Sequence, residues 1–185
     1  MTSLPQLSEV QILSYAKHLS EDIGYRTVGT REHALGDAWV LEKARELQEQ
    51  CEQVVKANPG RKLQCEVWRQ EGNGSHRCVL SSDVQCLVCN QHCSFDIMAK
   101  RLYKTYVNLS NIILRVSDGT EEGKEHAVLV NSHVDSTLPS PGAADDALSV
   151  GVMLECARVL INTPDWVPKY AIIFCKFHSS SEMNS

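Results

Sequence analysis

The order of apolar runs between residues 127 and 177 constrains the fold of this chain more than any other sequence feature. Residues 127–130 and 170–174 form two short apolar runs, and between them apolar residues recur at helical spacing over 148–160. A strand–helix–strand unit of this kind places its two strands parallel in one sheet. The first run has no polar residue, which is typical of a strand buried on both faces. We therefore predict an α/β fold with a mixed, partly parallel sheet flanked by helices.

Two amphipathic helices and a short strand are predicted before this unit. Ser8 opens a capping box that is followed by apolar residues at helical spacing, and Gly24 ends that helix. A second helix is predicted from about residue 32 to the Pro–Gly breaker at 59–60. Alternation over 63–67 predicts a half-buried strand, whereas 71–94 has no period and is predicted to be a loop.

The next predicted strand has an irregular pattern. Apolar residues alternate at Val107 and Leu109 and then continue in the opposite phase over 112–116. A β-bulge near residues 110–111 would reconcile the two halves, so we predict one there. The polar stretch 118–124 is predicted to be a connection.

Composition limits the classes of function. The chain has 185 residues, of which 43% are apolar, so a core is feasible without metal or disulfide staples. A formal net charge of −5 argues against nucleic acid as a partner. No apolar run approaches the ~20 residues that span a bilayer, and no signal peptide is visible. Eight cysteines permit disulfides without showing any, and sequons at Asn73 and Asn108 slightly favour a secretory compartment.

Candidate metal ligands follow the first apolar run. His133 and Asp135 come at its carboxyl end, where open α/β sheets bind ligands, and Asp145 and Asp146 begin the next helix. Capping would explain the two adjacent acids, and a loop position would explain the histidine. Their order along the chain favours a site instead, because Asp135 can hold the imidazole of His133. Two carboxylates and a supported imidazole suit a cation such as zinc.

The residues around this motif resemble a known family. The run NSHVDSTLPSPGAADDALSVGVMLECARVL is similar to the metal-binding segment of the co-catalytic two-zinc metallopeptidases, of the aminopeptidase Y and glutamate carboxypeptidase II type. Supporting blocks are YAKHLSEDIGYRTVGTREH and KRLYKTYVNLSNIILRVSDGTEEGKEHAVLV. The resemblance is strongest to the endoplasmic reticulum and fungal vacuolar members. It extends over about residues 8–174.

The resemblance implies a role for each matching residue. His133 would ligate one zinc ion, Asp145 would bridge two, and Asp135 would orient His133. Asp146 would follow the bridging residue across a strained peptide bond and begin the helix. Two zinc ions per complete site would share a water, lower its pKa and polarise the scissile carbonyl, while a family glutamate acts as general base.

The sequence departs from the family after residue 174. The family has a Glu-Glu pair there, and this chain has none; Glu182 stands alone and is not assigned the role of base. His178 is expected to be an exposed tail residue. We therefore expect a C-terminally truncated, zinc-peptidase-like domain over residues 8–177, followed by an unmatched tail, 178–185.

Residues 78–94 are a second departure from the family. They contain Cys86-x-x-Cys89-x-x-x-Cys93, with Cys78, His76 and His92 nearby. These side chains could form a four-ligand zinc knot. The alternative is that a retained intron or a gene-model error supplies this Cys-rich insertion.

The sequence thus predicts a zinc-dependent, aminopeptidase-like hydrolase acting on peptides, incomplete or inactive as written. A receptor-like binding protein of the same fold and a small Cys-cluster zinc module stay open as alternatives. By resemblance the domain would lie on the lumenal side of an endoplasmic reticulum or vacuolar membrane. Membrane attachment would need anchors that are not visible in this sequence.

Overall fold

The computed structural model describes the chain over residues 5–79 and 101–177, and its side chains over 5–73 and 109–176. Four α-helices and four strands lie in these ranges. The helices are α1 (Glu9–Lys17, continued by a π-helical turn, His18–Ile23), α2 (Arg31–Ala57), α3 (Glu121–Glu125) and α4 (Leu148–Asn162). The strands are β1 (Gln64–Val79), β2 (Arg101–Ser117), β3 (Ala127–His133) and β4 (Ala171–Phe177).

The four described strands form one mixed sheet in the order β1-β2-β4-β3. β1 pairs antiparallel with β2, and β2 pairs antiparallel with β4. β3 and β4 are parallel, with Val128 opposite Ile172, and α4 connects them. The predicted strand–helix–strand unit and the mixed α/β fold are therefore confirmed.

The core lies between the sheet and the helices α2 and α4, which also pack on each other, while α1 packs on α4. The apolar faces of these elements supply its fully buried side chains. They include Val40 and Cys51 of α2, Val116 of β2, and Val150, Ala157 and Ile161 of α4. Because both long helices carry the apolar stripe that their sequences show, the helix predictions hold to within a few residues.

β1 is longer than predicted. The strand runs to Val79, so the expectation of a loop from residue 71 is wrong for residues 71–79, and residues 80–94 lie outside the described part of the chain. Pairing along β2 supplies the hydrogen bonds that hold this polar segment extended. Polar residues without a period can form a strand when a long partner lies beside them.

The predicted bulge near Ser110–Asn111 is also misplaced. Both residues pair in regular register, and the irregularity lies between Gly72 and Gly74, opposite residues 106–109. Ser110 is fully buried, and its hydroxyl donates a hydrogen bond to the carboxylate of Asp37 in α2. The side chains of β2 therefore alternate without interruption at residues 110 and 111. Ser110 is polar but faces the core, so the apolar residues alone give the appearance of a shift in the alternation.

β3 is not buried on both faces, contrary to prediction. Val128 is 59% exposed and Leu129 is 52% exposed. The reason is position, because β3 is the outermost strand of the described sheet and pairs only with β4 there. An apolar run thus identified the strand correctly but not its surroundings.

A disulfide joins the last turns of α2 to the start of β1. Cys51 and Cys65 are bonded, with Cα atoms 6.2 Å apart. The sequence, with its eight cysteines, leaves the pairing open. Cys156 and Cys175 are free thiols, and burial raises the pKa of each.

Candidate metal site at the end of β3

Two predicted ligands meet where β3 ends and α4 begins. His133 is the last residue of β3, and its Nε2 lies 3.1 Å from Oδ1 of Asp145. The peptide bond between Asp145 and Asp146 is cis. The backbone N–H of His133 donates to Oδ2 of Asp146 at 3.2 Å, which fastens the strand end to the helix start. Residues twelve positions apart in sequence are thus brought into contact.

Gly142 allows the loop before α4 to turn back toward β3. Its φ is +65°, and a Cβ at this position would clash with the carbonyl oxygen of Asp145 and lie 2.9 Å from Cβ of Ser136. Only glycine tolerates both the left-handed backbone and this close approach. A glycine at position 142 is therefore needed for the geometry of the site.

Asp135 lies behind the imidazole of His133. Its side chain is fully buried; Nδ1 of His133 is 3.1 Å from the backbone oxygen of Asp135 and 3.6 Å from its Oδ1. The Asp135 side chain is the main cause that raises the pKa of His133 to about 9, against the opposing effect of burial. With Nδ1–H directed to Asp135, Nε2 remains the nitrogen that faces Asp145 and solvent.

The two donor atoms, an imidazole nitrogen and a carboxylate oxygen, are of the kinds that zinc binds in proteins. A zinc ion usually has four donors. The side chain of Asp145 is 83% exposed and that of His133 is 20% exposed, so both side chains are in contact with solvent. Among the residues that the structure describes, no group of three or more His, Cys, Asp or Glu side chains converges on one point. The described residues therefore supply a pair of donors, and the ligand roles of His133 and Asp145 stay a prediction.

Arg26 is a site-adjacent residue that sequence reasoning missed. It is fully buried in the segment between α1 and α2. Its guanidinium donates to backbone carbonyls of residues that flank the candidate ligands, with Nε 2.6 Å from the oxygen of Val134. Arg26 lies within the block YAKHLSEDIGYRTVGTREH, which resembles the family, and its place in that block is the only sequence signal that points to it.

A second buried polar cluster lies between α2 and the sheet. Lys176 of β4 is fully buried and pairs with Asp37 of α2, which also accepts from Ser110. Burial lowers the pKa of Lys176, and the Asp37 carboxylate opposes that effect. Burial likewise lowers the pKa of the neighbouring His33. Sequence reasoning missed this cluster because its members come from three separate elements.

Several candidates fall outside the described part of the chain. Glu182, His178 and the tail 178–185 lie there, as do Cys86, Cys89 and Cys93. The zinc-knot hypothesis and the boundaries 8–177 and 78–94 therefore remain predictions.

The fold belongs to the class seen in zinc peptidases. A Bacillus subtilis zinc aminopeptidase is similar with a TM-score of 0.59 at 17% identity, over 96% of this chain and 63% of that one. A leucine aminopeptidase precursor from Bacteroides thetaiotaomicron gives 0.56 at 17% identity, over 95% and 48%. A Porphyromonas gingivalis glutaminyl cyclase gives 0.57 at 17% identity, over 93% and 45%.

Sequence comparison finds similarity to a family of peptidases. Residues 111–179 match the model of Peptidase family M28. Endoplasmic reticulum metallopeptidase 1 of Schizosaccharomyces pombe is 42% identical, over 96% of this chain and 19% of its own length. The human protein of that name is 30% identical, over 91% of this chain and 16% of its own length. The predicted resemblance to a metallopeptidase family is thereby confirmed, and the chain spans a minor part of these relatives.

No helix among the described residues is both long enough and apolar enough to cross a bilayer.

Proposed function

We propose that this chain forms part of a zinc-dependent peptidase that hydrolyses peptide bonds in the manner of an aminopeptidase. The contact of His133 Nε2 with Asp145 Oδ1, at 3.1 Å, is the observation that carries the proposal. Two donors from different elements meet at the carboxyl end of a parallel strand, where α/β sheets bind ligands. The match to Peptidase family M28 and the zinc aminopeptidase neighbour support a metal cofactor there.

The roles proposed for the residues follow from their contacts. His133 and Asp145 hold the metal, and Asp135 fixes the tautomer and ring orientation of His133. The metal supplies a bound water of lowered pKa and polarises the scissile carbonyl. The resemblance implies two zinc ions with Asp145 as the bridge.

Zinc binding and peptide hydrolysis are separate proposals for this chain. A zinc ion usually has four donors, and the described residues bring two together. We therefore propose that the chain binds zinc but hydrolyses peptides slowly or not at all. The non-catalytic alternative does not require the chain to hold zinc.

Zinc binding by variants tests the proposal. We expect His133→Ala and Asp145→Ala each to weaken zinc affinity at least tenfold, and Asp135→Asn to weaken it about 10–100-fold, as loss of a group that orients a ligand does. Competition with a chromophoric chelator measures the affinity. The matched controls are His126→Ala and Asp22→Ala, which change the same residue types on exposed positions of the chain. Equal zinc affinity in all five variants would overturn the proposal.

The compartment proposed is the lumen of the endoplasmic reticulum. The relatives named above carry that compartment in their names, and the Cys51–Cys65 disulfide is of the kind that persists in oxidising compartments. Asn73 of the first sequon is exposed, as a glycosylation site must be. A vacuolar location and attachment to a membrane rest on the resemblance alone. The partner proposed is a peptide substrate.

A further inference from the structure

Arg26 connects three segments of backbone from a fully buried position. Its Nη1 donates to the carbonyl oxygens of Leu19 and Gly24, its Nε to that of Val134, and its Nη2 to that of Gly142. The Nη1 distance to Gly24 is 2.8 Å, and the Nη2 distance to Gly142 is 3.5 Å. A guanidinium suits this task because its donors form a rigid planar fork.

Two of these acceptors belong to the loops that carry the candidate ligands. Val134 stands between His133 and Asp135, and Gly142 begins the turn that leads into Asp145. The carbonyl of Gly142 also accepts from the N–H of Ala147, at 3.1 Å. One buried side chain therefore touches the backbone on both sides of the His133–Asp145 contact.

Backbone hydrogen bonds of Arg26 strengthen the connection to the β3 end. The N–H of Arg26 donates to Oγ of Ser136 at 2.8 Å, and the N–H of Ser136 donates to the carbonyl of Arg26 at 3.2 Å. Ser136 is fully buried as well. The segment before α2 and the loop after β3 are thus joined by side-chain and backbone bonds together.

Gly36 of α2 makes room for the Arg26 side chain. A Cβ at Gly36 would lie 2.9 Å from Cδ of Arg26 and 3.7 Å from Cγ2 of Val134. Contacts below 3.0 Å require something to move. We therefore expect Gly36→Ala to displace Arg26 without removing its charge or its donors.

We propose that Arg26 is a positioning residue for divalent-metal binding, setting the separation of His133 and Asp145 through the carbonyls of Val134 and Gly142. The inference rests on the proposed function for the role of the two ligands. The ordering of the two loops by Arg26 does not depend on it.

Arg61 provides a matched control. It is 8% exposed, and its guanidinium donates to the carbonyl of Trp166, with Nε at 3.1 Å and Nη2 at 2.9 Å. It also reaches the carbonyl of Leu160 near the end of α4, whereas the candidate ligands lie at the start of that helix. Arg61→Lys therefore damages a similar arrangement away from the site.

Hydrogen exchange of the metal-free chain measures the ordering. In Arg26→Lys we expect the amides of Ser136 and Ala147 to exchange about tenfold faster, because charge-assisted hydrogen bonds that hold their loops are lost. The amides of Thr163 and Trp166 should keep their rates. Arg61→Lys should give the reverse pattern. Unchanged exchange at Ser136 and Ala147 in Arg26→Lys overturns the inference.

Zinc affinity measures the consequence for the site. We expect Arg26→Lys and Gly36→Ala each to weaken binding about tenfold, as loss of groups that orient ligands does, while Arg61→Lys stays within about twofold of the unmodified chain. Gly36→Ala keeps the test decisive if Arg26→Lys fails to fold.

The combined results separate the two hypotheses. If His133→Ala loses zinc while Arg26→Lys and Gly36→Ala bind it as tightly as the unmodified chain, positioning by Arg26 is wrong and the proposed function stands. If His133→Ala leaves zinc affinity unchanged, the proposed function fails, and with it the metal-binding role of Arg26. In that case, faster exchange at Ser136 and Ala147 would show that Arg26 orders the two loops without a role in metal binding.

Discussion

Glu155 shows how a single buried charge fixes the start of the chain against α4. Its side chain is fully buried, and its carboxylate accepts two hydrogen bonds from Arg158, at 2.7 and 2.6 Å. It also accepts from the N–H of Ser8, the N-cap of α1, at 2.7 Å. Arg158 in turn donates to the carbonyl of Gln6. The buried carboxylate is tolerated because it accepts hydrogen bonds from the N–H of Ser8 and from the charged guanidinium of Arg158.

Acid should release this contact. The hydrogen bonds from Arg158 are the main cause that holds the pKa of Glu155 below its ordinary value of 4.5. Because the folded-state pKa is lowered, the stabilisation is complete above pH 4.5 and is lost as the pH falls through the folded-state value. We expect Glu155→Gln to cost about 1–3 kcal/mol at neutral pH and to flatten the acid limb of stability. Urea unfolding between pH 3 and 7 measures both effects.

An exposed acid in the same helical context provides the comparison for Glu155. Glu46 of α2 pairs with Lys43 at the surface, at 2.7 Å, and its side chain is 52% exposed. Glu46→Gln should change the unfolding free energy by less than about 1 kcal/mol. If Glu155→Gln and Glu46→Gln lower the free energy of unfolding equally at neutral pH, the buried contacts of Glu155 stabilise the chain no more than a surface ion pair does.

At the scale of elements, the disulfide fastens the C-terminal part of α2 to β1. Cys51 and Cys65 are 14 residues apart in sequence and enclose the turn between the two elements. The turn also holds Arg61, whose guanidinium contacts the carbonyl of Trp166 after α4. The covalent bond and the buried arginine therefore secure the same corner of the molecule.

Removing the disulfide should lower stability markedly. For a loop of this length, the loss of the cross-link costs about 3 kcal/mol, so the double variant Cys51→Ala/Cys65→Ala should unfold at a lower urea concentration. A reducing agent should destabilise the unmodified chain by a similar amount. It should leave the double variant unaffected, and an equal response of both chains would contradict this pairing.

The elements could be predicted where their signals are local. Apolar periods revealed α1, α2 and α4, and the strand–helix–strand order gave the parallel β3–β4 pair. The contact between His133 and Asp145 was predictable for the same reason, because a single loop joins them. Each of these inferences needed only a short stretch of sequence.

Contacts between distant segments could not be predicted in this way. Arg26 reaches Val134 across 108 residues, and Ser110 reaches Asp37 across 73. No local period indicates that a polar side chain will face the core, since only its distant partner makes that position tolerable. The position of β3 at the edge of the described sheet was missed because strand order also depends on the whole topology.

At the scale of the molecule, β3 lies at the edge of the described sheet and exposes large apolar side chains to solvent. Val128 and Leu129 are 59% and 52% exposed, and Tyr170, whose ring contacts that of His126 just before β3, is 42% exposed. An edge strand with apolar side chains pairs readily with another strand. We infer that this edge promotes association between copies of the chain.

Charge on the edge should suppress association. We expect the sedimentation coefficient of the unmodified chain to rise between micromolar and higher concentrations, and we expect a smaller rise for Val128→Lys. Val10→Lys is the control, because Val10 is 80% exposed on α1 and remote from the sheet edge. The same association in all three chains would show that β3 is not the contact.

The strand order also has a consequence for synthesis on the ribosome. β4 lies between β2 and β3, so within the described sheet β3 has no neighbour to pair with until residues 171–177 have been added. Within the described sheet His133 therefore has no partner strand while residues 134–170 are being added, and it gains one only after β4 has emerged. We expect a nascent chain that pauses between α4 and β4 to leave the candidate ligand segment without its partner strand and so open to proteases.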